Sequence, residues 1–178
     1  MSASNATLHM LCGKIAAGKS TLSAKLGRAE KTLVISEDRW IDQLYRPELK
    51  TLADFFERCE RLRATLAPHV VDLLRADVSV VLDFHANTVR SRRWMRALFE
   101  EAEASHRLHF LDLPDEVCRA RMHARKAAGG GGVSDADFDH VTSFFVPPDR
   151  SERFNVIRYG NNPPPSTSAV ERGDKRNL

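Results

Sequence analysis

A chain of 178 residues, 42% hydrophobic and 29% charged, has the size and balance of one globular domain that folds without staples. Its formal net charge of +3 is too small to indicate a nucleic-acid or membrane partner on its own, and no apolar run approaches a membrane span. Cys12, Cys59 and Cys118 form no C-x-x-C pair, which argues against a zinc site or a disulfide framework. With no secretory pattern over residues 1–6, a cytoplasmic protein is expected.

Strand-like and helix-like segments alternate along the chain. Residues 7–12 read as a first strand that runs into a glycine turn. A helix is expected from Lys19 to about Ala29, and a second strand over 32–36. From Leu52 to Ala76 apolar residues recur at helical spacing through Phe55, Cys59, Leu62, Leu66, Val70 and Leu74. Pro68 is expected to kink or divide that segment. Residues 78–83 form a near-continuous apolar run closed by Asp83, the pattern of a central parallel strand. A helix follows through Trp94, Leu98 and Phe99, then a fourth strand over 108–112. Pro114 opens a further helix with Asp115 and Glu116 in its first turn. Four glycines, Gly129 to Gly132, mark a mobile loop, and Ser134 to Asp137 resemble a capping box before another helix. Residues 154–159 suit a fifth strand, and the proline-rich stretch 161–178 reads as a disordered tail. The alternation implies a single α/β domain over residues 1–160, its parallel sheet covered on both faces.

Between the first strand and the first helix lies Gly13-Lys14-Ile15-Ala16-Ala17-Gly18-Lys19-Ser20, a complete G-x-x-x-x-G-K-S/T phosphate-binding loop, or P-loop. The glycines let the backbone curl so that several N–H groups converge on a phosphate. Lys19 supplies a positive charge to the outer phosphates, the Ser20 hydroxyl is a ligand for Mg²⁺, and the following helix points its positive end at the anion. The expected nucleotide contacts are Gly13, Lys14, Ala16, Ala17, Gly18, Lys19, Ser20 and Thr21, with ATP and Mg²⁺ as the implied cofactors. No N-K-x-D or D-x-x-G motif accompanies the loop, which argues against a GTPase and leaves the small-kinase class, where the protein positions groups and stabilises spreading charge.

The chain resembles the small P-loop kinases and related ATP-binding proteins that include chloramphenicol phosphotransferase, the zeta-type toxins and polynucleotide 5′-hydroxyl kinase. The resemblance spans roughly Thr7 to Tyr159 and is strongest at the P-loop. It implies a three-layer α/β/α fold of the adenylate-kinase type with a five-stranded parallel sheet. It also implies transfer of the γ-phosphate of ATP to a hydroxyl of a small molecule, with a nucleic-acid end as a less favoured acceptor. In that family an Asp just past the second strand accepts the proton of the attacking hydroxyl. Asp38, in Ser36-Glu37-Asp38-Arg39-Trp40, falls at that place, with Glu37 as a substitute and a helix cap as the bland alternative. Asp83 falls where relatives carry an acid near Mg²⁺ or the acceptor. His85 and Asn87 beside it are candidate substrate contacts, although Asn87 and Thr88 equally suit a cap for the next helix. Lid arginines are expected at Arg121 and Arg125, four apart on one helical face, within a lid over 119–134 hinged by the glycines. Arg119 lies off that face.

Several further stretches admit two readings. The segment 39–76 is the usual place for an acceptor-binding insertion, where Arg58, Arg61 and Arg63 either select an acidic substrate or decorate the surface. Arg90, Arg92, Arg93 and Arg96 around Trp94 form a phosphate-gripping patch or, the preferred reading, a solvated helix face. Phe144 to Asp149, with Glu152-Arg153-Phe154, form the floor of an adenine site or a core turn. Trp40 lines the acceptor pocket or packs in the core. A nucleotide-dependent switch protein or a zeta-like toxin remains as the alternative class, and the oligomeric state and the acceptor's identity are left open.

Overall fold

The computed structural model describes residues 5–160; the tail expected to be disordered lies outside them. The strands are β1 (Thr7–Cys12), β2 (Thr32–Ser36), β3 (Ser79–His85), β4 (Ser105–Leu111) and β5 (Val156–Tyr159). The helices are α1 (Lys19–Leu26), α2 (Glu37–Tyr45), α3 (Leu52–Arg75), α4 (Val89–Glu101), α5 (Asp115–Ala127) and α6 (Asp135–Ser143). Every strand pair is parallel, because each connection returns through a helix before the next strand begins. The order is β2-β3-β1-β4-β5. Connections that start from β1 leave to one side of it and those after β3 cross to the other, so a crevice opens above the carboxyl ends of β1 and β3.

Alternation along β1 sorts the core into two layers. Leu8, Met10 and Cys12 face α3 and α4, where Leu62, Leu66, Val70, Leu74, Met95 and Leu98 meet them. Leu11, Val81 and Leu111 face the other way, against Leu22 of α1, Cys118 and Met122 of α5 and Phe138 of α6. The result is three layers, α/β/α. All three cysteines are buried and free. Among the described residues no helix is long and apolar enough to cross a membrane.

Where the elements differ from expectation, local packing explains it. Helix α1 stops at Leu26 because Gly27 caps it and lies so close to β2 that a Cβ there would overlap the Val34 side chain. Pro68 does not divide α3, which runs unbroken over 24 residues. An interior proline costs about 3 kcal/mol or more, and core contacts on both sides of it, Cys59 to Leu66 and Val70 to Leu74, offset that cost. The fifth strand is shorter than expected, and β3 continues two residues past Asp83 to His85. At α6 the Ser134 hydroxyl accepts the Asp137 N–H and donates to the Asp137 carboxylate, so the cap is closed by that side-chain pair.

Candidate active site

The P-loop occupies residues 13–20, above β1 and against the top of β4. Gly13 sits in tight space: a Cβ would lie 3.1 Å from both the Cβ and the carbonyl of Leu111 and 3.2 Å from the Ala17 Cβ. Gly18 is required by conformation, with φ at +104°, a left-handed value that costs a glycine nothing. Ala16 also holds a positive φ of 59°, a strained choice for a residue with a Cβ. The Lys19 ammonium is buried and donates to the carbonyls of Gly13 at 2.6 Å and Lys14 at 2.8 Å. Desolvation pushes its pKa down, against the pull of the Asp38 and Asp83 carboxylates. A cation held in a low-dielectric turn acts strongly on any anion placed there.

Opposite the loop, β2 and β3 deliver an acidic cleft. Ser36 pairs with Asp83 in register, so Asp38, two residues on, rises beside β3's carboxyl end. The β1–β3 ladder slips between Met10 and Leu11, which pairs with His85 rather than Asp83; such irregularities re-aim side chains at sites. His85 Nε2 lies 3.5 Å from Asp38 Oδ1, and the Asp38 side chain is 65% exposed. The cleft walls desolvate Asp38, which alone would raise its pKa. The His85 hydrogen bond, then the charges of His85, Lys19 and Arg125, outweigh this and hold it below the ordinary carboxylate value. Asp83 goes the opposite way: desolvation raises it and the Asp38 charge adds to that, against a hydrogen bond from Ser20 and the charges of His85 and Lys19. Two neighbouring carboxylates with pKa values pushed apart are suited to different tasks.

Glu37 cannot stand in for Asp38. Its carboxylate is fully buried and takes both Nε and Nη2 of Arg63, at 2.6 and 2.9 Å. Arg63 is therefore a structural partner of α2, and neither of its two expected readings holds. Arg58 pairs with Glu48 and Arg61 with Glu57. Trp40 is 37% exposed, which rules out the core reading.

On the other flank, α5 brings up its arginines. Arg121 Nη1 lies 3.4 Å from the Ala17 carbonyl of the P-loop, and the charge of Arg125 reaches Asp38. Arg119 instead pairs with Asp135 and Asp139 of α6 and lies over the Phe138 ring. Gly129 and Gly130 have a task of their own. Gly129, at φ 79°, and Gly130 donate back to Lys126 and Arg125 and close the helix end as a Schellman cap. The Lys14 ammonium bonds to Asp115 and to the Leu113 carbonyl, which ties the P-loop to the start of α5. A pocket of about 410 Å³ opens beside it, lined by Lys14, Asp112, Leu113, Pro114, Arg158 and Gly160.

Asn87 is not free for a substrate. Its Oδ1 accepts the Gly13 N–H at 2.9 Å and its Nδ2 donates to the Gly13 carbonyl at 3.0 Å, while Thr88 caps α4. This amide pairing fixes the entry to the P-loop. The Asn87 carbonyl in turn accepts the Val146 N–H, and Arg92 holds Val146 from beneath. Arg92, expected on a solvated face, is wholly buried. Its Nε and Nη2 meet both Glu152 oxygens at 2.8 Å, and its Nη1 donates to the carbonyls of Ala86 and Val146. The segment expected as an adenine floor or core turn is thus pinned to α4. No sequence signal separated Arg92 from its neighbours, because its partner lies 60 residues away.

A parallel sheet of order β2-β3-β1-β4-β5 carrying a G-x-x-x-x-G-K-S turn after β1 is the P-loop nucleoside-triphosphate-binding fold of the adenylate-kinase type. A family model described as an AAA domain matches residues 8–148, and the chain belongs to that family. Solved structures agree on the fold. A candidate kinase from Chloroflexus aurantiacus is 18% identical, with 89% of this chain and 87% of that one covered at a TM-score of 0.69. The APS kinase of Mycobacterium tuberculosis, in complex with AMPPNP and APS, is 19% identical, with 90% and 91% covered at 0.59. A chain of the Pnkp1/Rnl/Hen1 RNA repair complex is 22% identical, with 80% of this chain but 45% of that one covered at 0.64. No curated protein matches the chain.

Proposed function

We propose that this protein is an ATP-dependent kinase that transfers the γ-phosphate of ATP to a hydroxyl group, with Asp38 as the base. The observation that carries the reading is the convergence of the buried Lys19, the Ser20–Asp83 pair and the low-pKa Asp38 at one crevice. The P-loop amides from Gly13 to Thr21 and the Lys19 ammonium would hold the β- and γ-phosphates. The pocket beside Lys14 has room for the nucleoside. Ser20 and Asp83 present the oxygen donors that Mg²⁺ prefers, few in number because substrate phosphates complete its shell; when bound, the ion neutralises charge on those phosphates.

Asp38 orients the acceptor hydroxyl toward the γ-phosphorus. As the acceptor oxygen bonds to phosphorus, the bond to the β,γ-bridging oxygen breaks, ADP leaves with that electron pair, and the hydroxyl proton passes to Asp38. His85 holds the carboxylate in place. Arg121 and Arg125, on a lid over 119–134, stabilise charge on the transferring group. The helices of the 39–76 segment, above Asp38, form the acceptor side.

The test is a screen of hydroxyl-bearing acceptors with γ-labelled ATP, repeated with Asp38→Asn. Transfer should fall by about 10²- to 10⁴-fold, while ATP affinity stays within roughly threefold of the wild type. Unchanged transfer in that variant would remove Asp38 from the mechanism. Nucleotide binding without transfer to any acceptor would favour a switch protein.

A further inference from the structure

A cavity between the start of α4 and residues 151–154 shares no residue with the P-loop. Helices α3 and α4 carry eight arginines, and seven of them meet a carboxylate: Arg58, Arg61, Arg63, Arg75, Arg90, Arg92 and Arg96. The eighth, Arg93, has no ion pair among the described residues. It lines a cavity of about 340 Å³ with Arg96, Ser151, Glu152, Arg153 and Phe154. Arg153 likewise has no ion pair among the described residues, so two unneutralised guanidinium groups face the same hollow.

Glu152 does not cancel them. Both of its oxygens are taken by Arg92, and one also accepts the Asp149 N–H, so its charge is neutralised inside the fold. Arg96 is fixed as a wall: it donates to the Glu152 carbonyl and to Glu100 and lies over the Phe154 ring, 4.3 Å from its centre. Arg153 sits at φ 52°, in the left-handed region where glycine or asparagine is the cheaper choice. The Asp149–Glu152 capping box holds it there. A rigid wall, two unpaired arginines, a hydroxyl and an aromatic ring suit a planar or tetrahedral oxyanion with a small organic part.

We propose that this cavity binds a phosphate-bearing small molecule, a nucleotide or a sugar phosphate, independently of the P-loop. The volume matches a ligand of that size. The site does not depend on the kinase reading, since it would exist whatever the P-loop does.

Pyrophosphate is the minimal probe, titrated by calorimetry into the full chain as wild type, Lys19→Ala and the double variant Arg93→Glu/Arg153→Glu. The wild type should bind two equivalents. Lys19→Ala should keep one, and the charge-reversed variant should keep only the P-loop equivalent, its second site weakened about tenfold or more. Hydrogen exchange provides a readout that needs no variant at the site: in Lys19→Ala, pyrophosphate should slow exchange over residues 151–155. Titrating AMP and a hexose phosphate into Lys19→Ala separates the two sources of the phosphate. The proposal is overturned if Lys19→Ala binds no pyrophosphate, if the charge-reversed variant binds two equivalents as tightly as the wild type, or if exchange over 151–155 is unchanged.

Discussion

The cleft above β3 and the clamp beneath α4 are both built from charged side chains, arranged to opposite ends. In the clamp, the Arg92 side chain is 0% exposed and Glu152 16%, and each charge meets its opposite in two parallel hydrogen bonds. In the cleft, Asp38 is 65% exposed and has one long contact, to His85. Charges satisfied inside the fold hold its shape, whereas charges left half-satisfied on a rigid rim are available to a ligand. Glu37 and Asp38 repeat the contrast between adjacent residues: one is sealed against Arg63, the other stands in the crevice.

The contrast predicts where a substitution is felt. The largest effect belongs to the cleft: Asp38→Asn should cost two to four decades of phosphoryl transfer, as set out above, and shift the melting temperature by no more than a few degrees, read by calorimetric scans. In the clamp the effect falls on stability. Arg92→Met leaves the half-buried Glu152 without its partner and two buried carbonyls without donors, which should cost about 3 kcal/mol and lower the melting temperature by on the order of 10 °C. The double variant Arg92→Met/Glu152→Met should recover much of that loss, because the uncompensated charge is gone. A single variant that melts within about 2 °C of wild type would show that the clamp does not hold the segment.

A smaller effect sharpens the cleft. Asp83 has its folded pKa raised, so its contribution to stability declines as pH rises through that value. In chelator at neutral pH, Asp83→Asn should therefore melt a few degrees higher than wild type while losing Mg²⁺-dependent activity. A lower melting point would contradict the sign. The smallest effect lies away from both regions. His9 and His109 stack on β1 and β4, sharing a 2.9 Å hydrogen bond, and His109 bonds to the Tyr159 hydroxyl. Burial lowers His9 to about 4 and His109 to about 3. Both values lie below the free imidazole's 6.5, so the unfolded chain takes up protons first. Stability is complete above that pH and declines as pH falls toward the folded values. Melts in a pH series should show the decline, and His109→Gln should flatten it.

Most of the fold was legible because periodicity and glycine chemistry are local. The P-loop, five of the six helices (all but α2) and the five strands announced themselves over windows of 5–25 residues. So did the Lys19–Ser20 pair, whereas Asp38, in the first turn of α2, and Asp83, two residues before the end of β3, were singled out through the family resemblance. What stayed hidden depends on partners distant in sequence. Asn87 was ambiguous until β3 was seen to carry it to Gly13, 74 residues away. Arg92 looks like Arg93 in the sequence, yet one faces the core and the other solvent because helix rotation separates adjacent positions by about 100°. The Lys14 ammonium is paired with Asp115 of α5, a partner 101 residues away that no local pattern reveals. The extra length of β3 followed from a register slip that no residue type signals.

As proposed above, the turn at Gly13–Ser20 grips the outer phosphates of a nucleotide through Lys19. Calorimetric titration of Mg–ATP into the wild type and Lys19→Ala, with a melting scan of each, tests it most directly. The expected result is a saturable binding heat in the wild type whose tightest component weakens at least about tenfold in the variant, with both proteins folded. Binding of equal strength in the two, or no heat in the wild type, would contradict it.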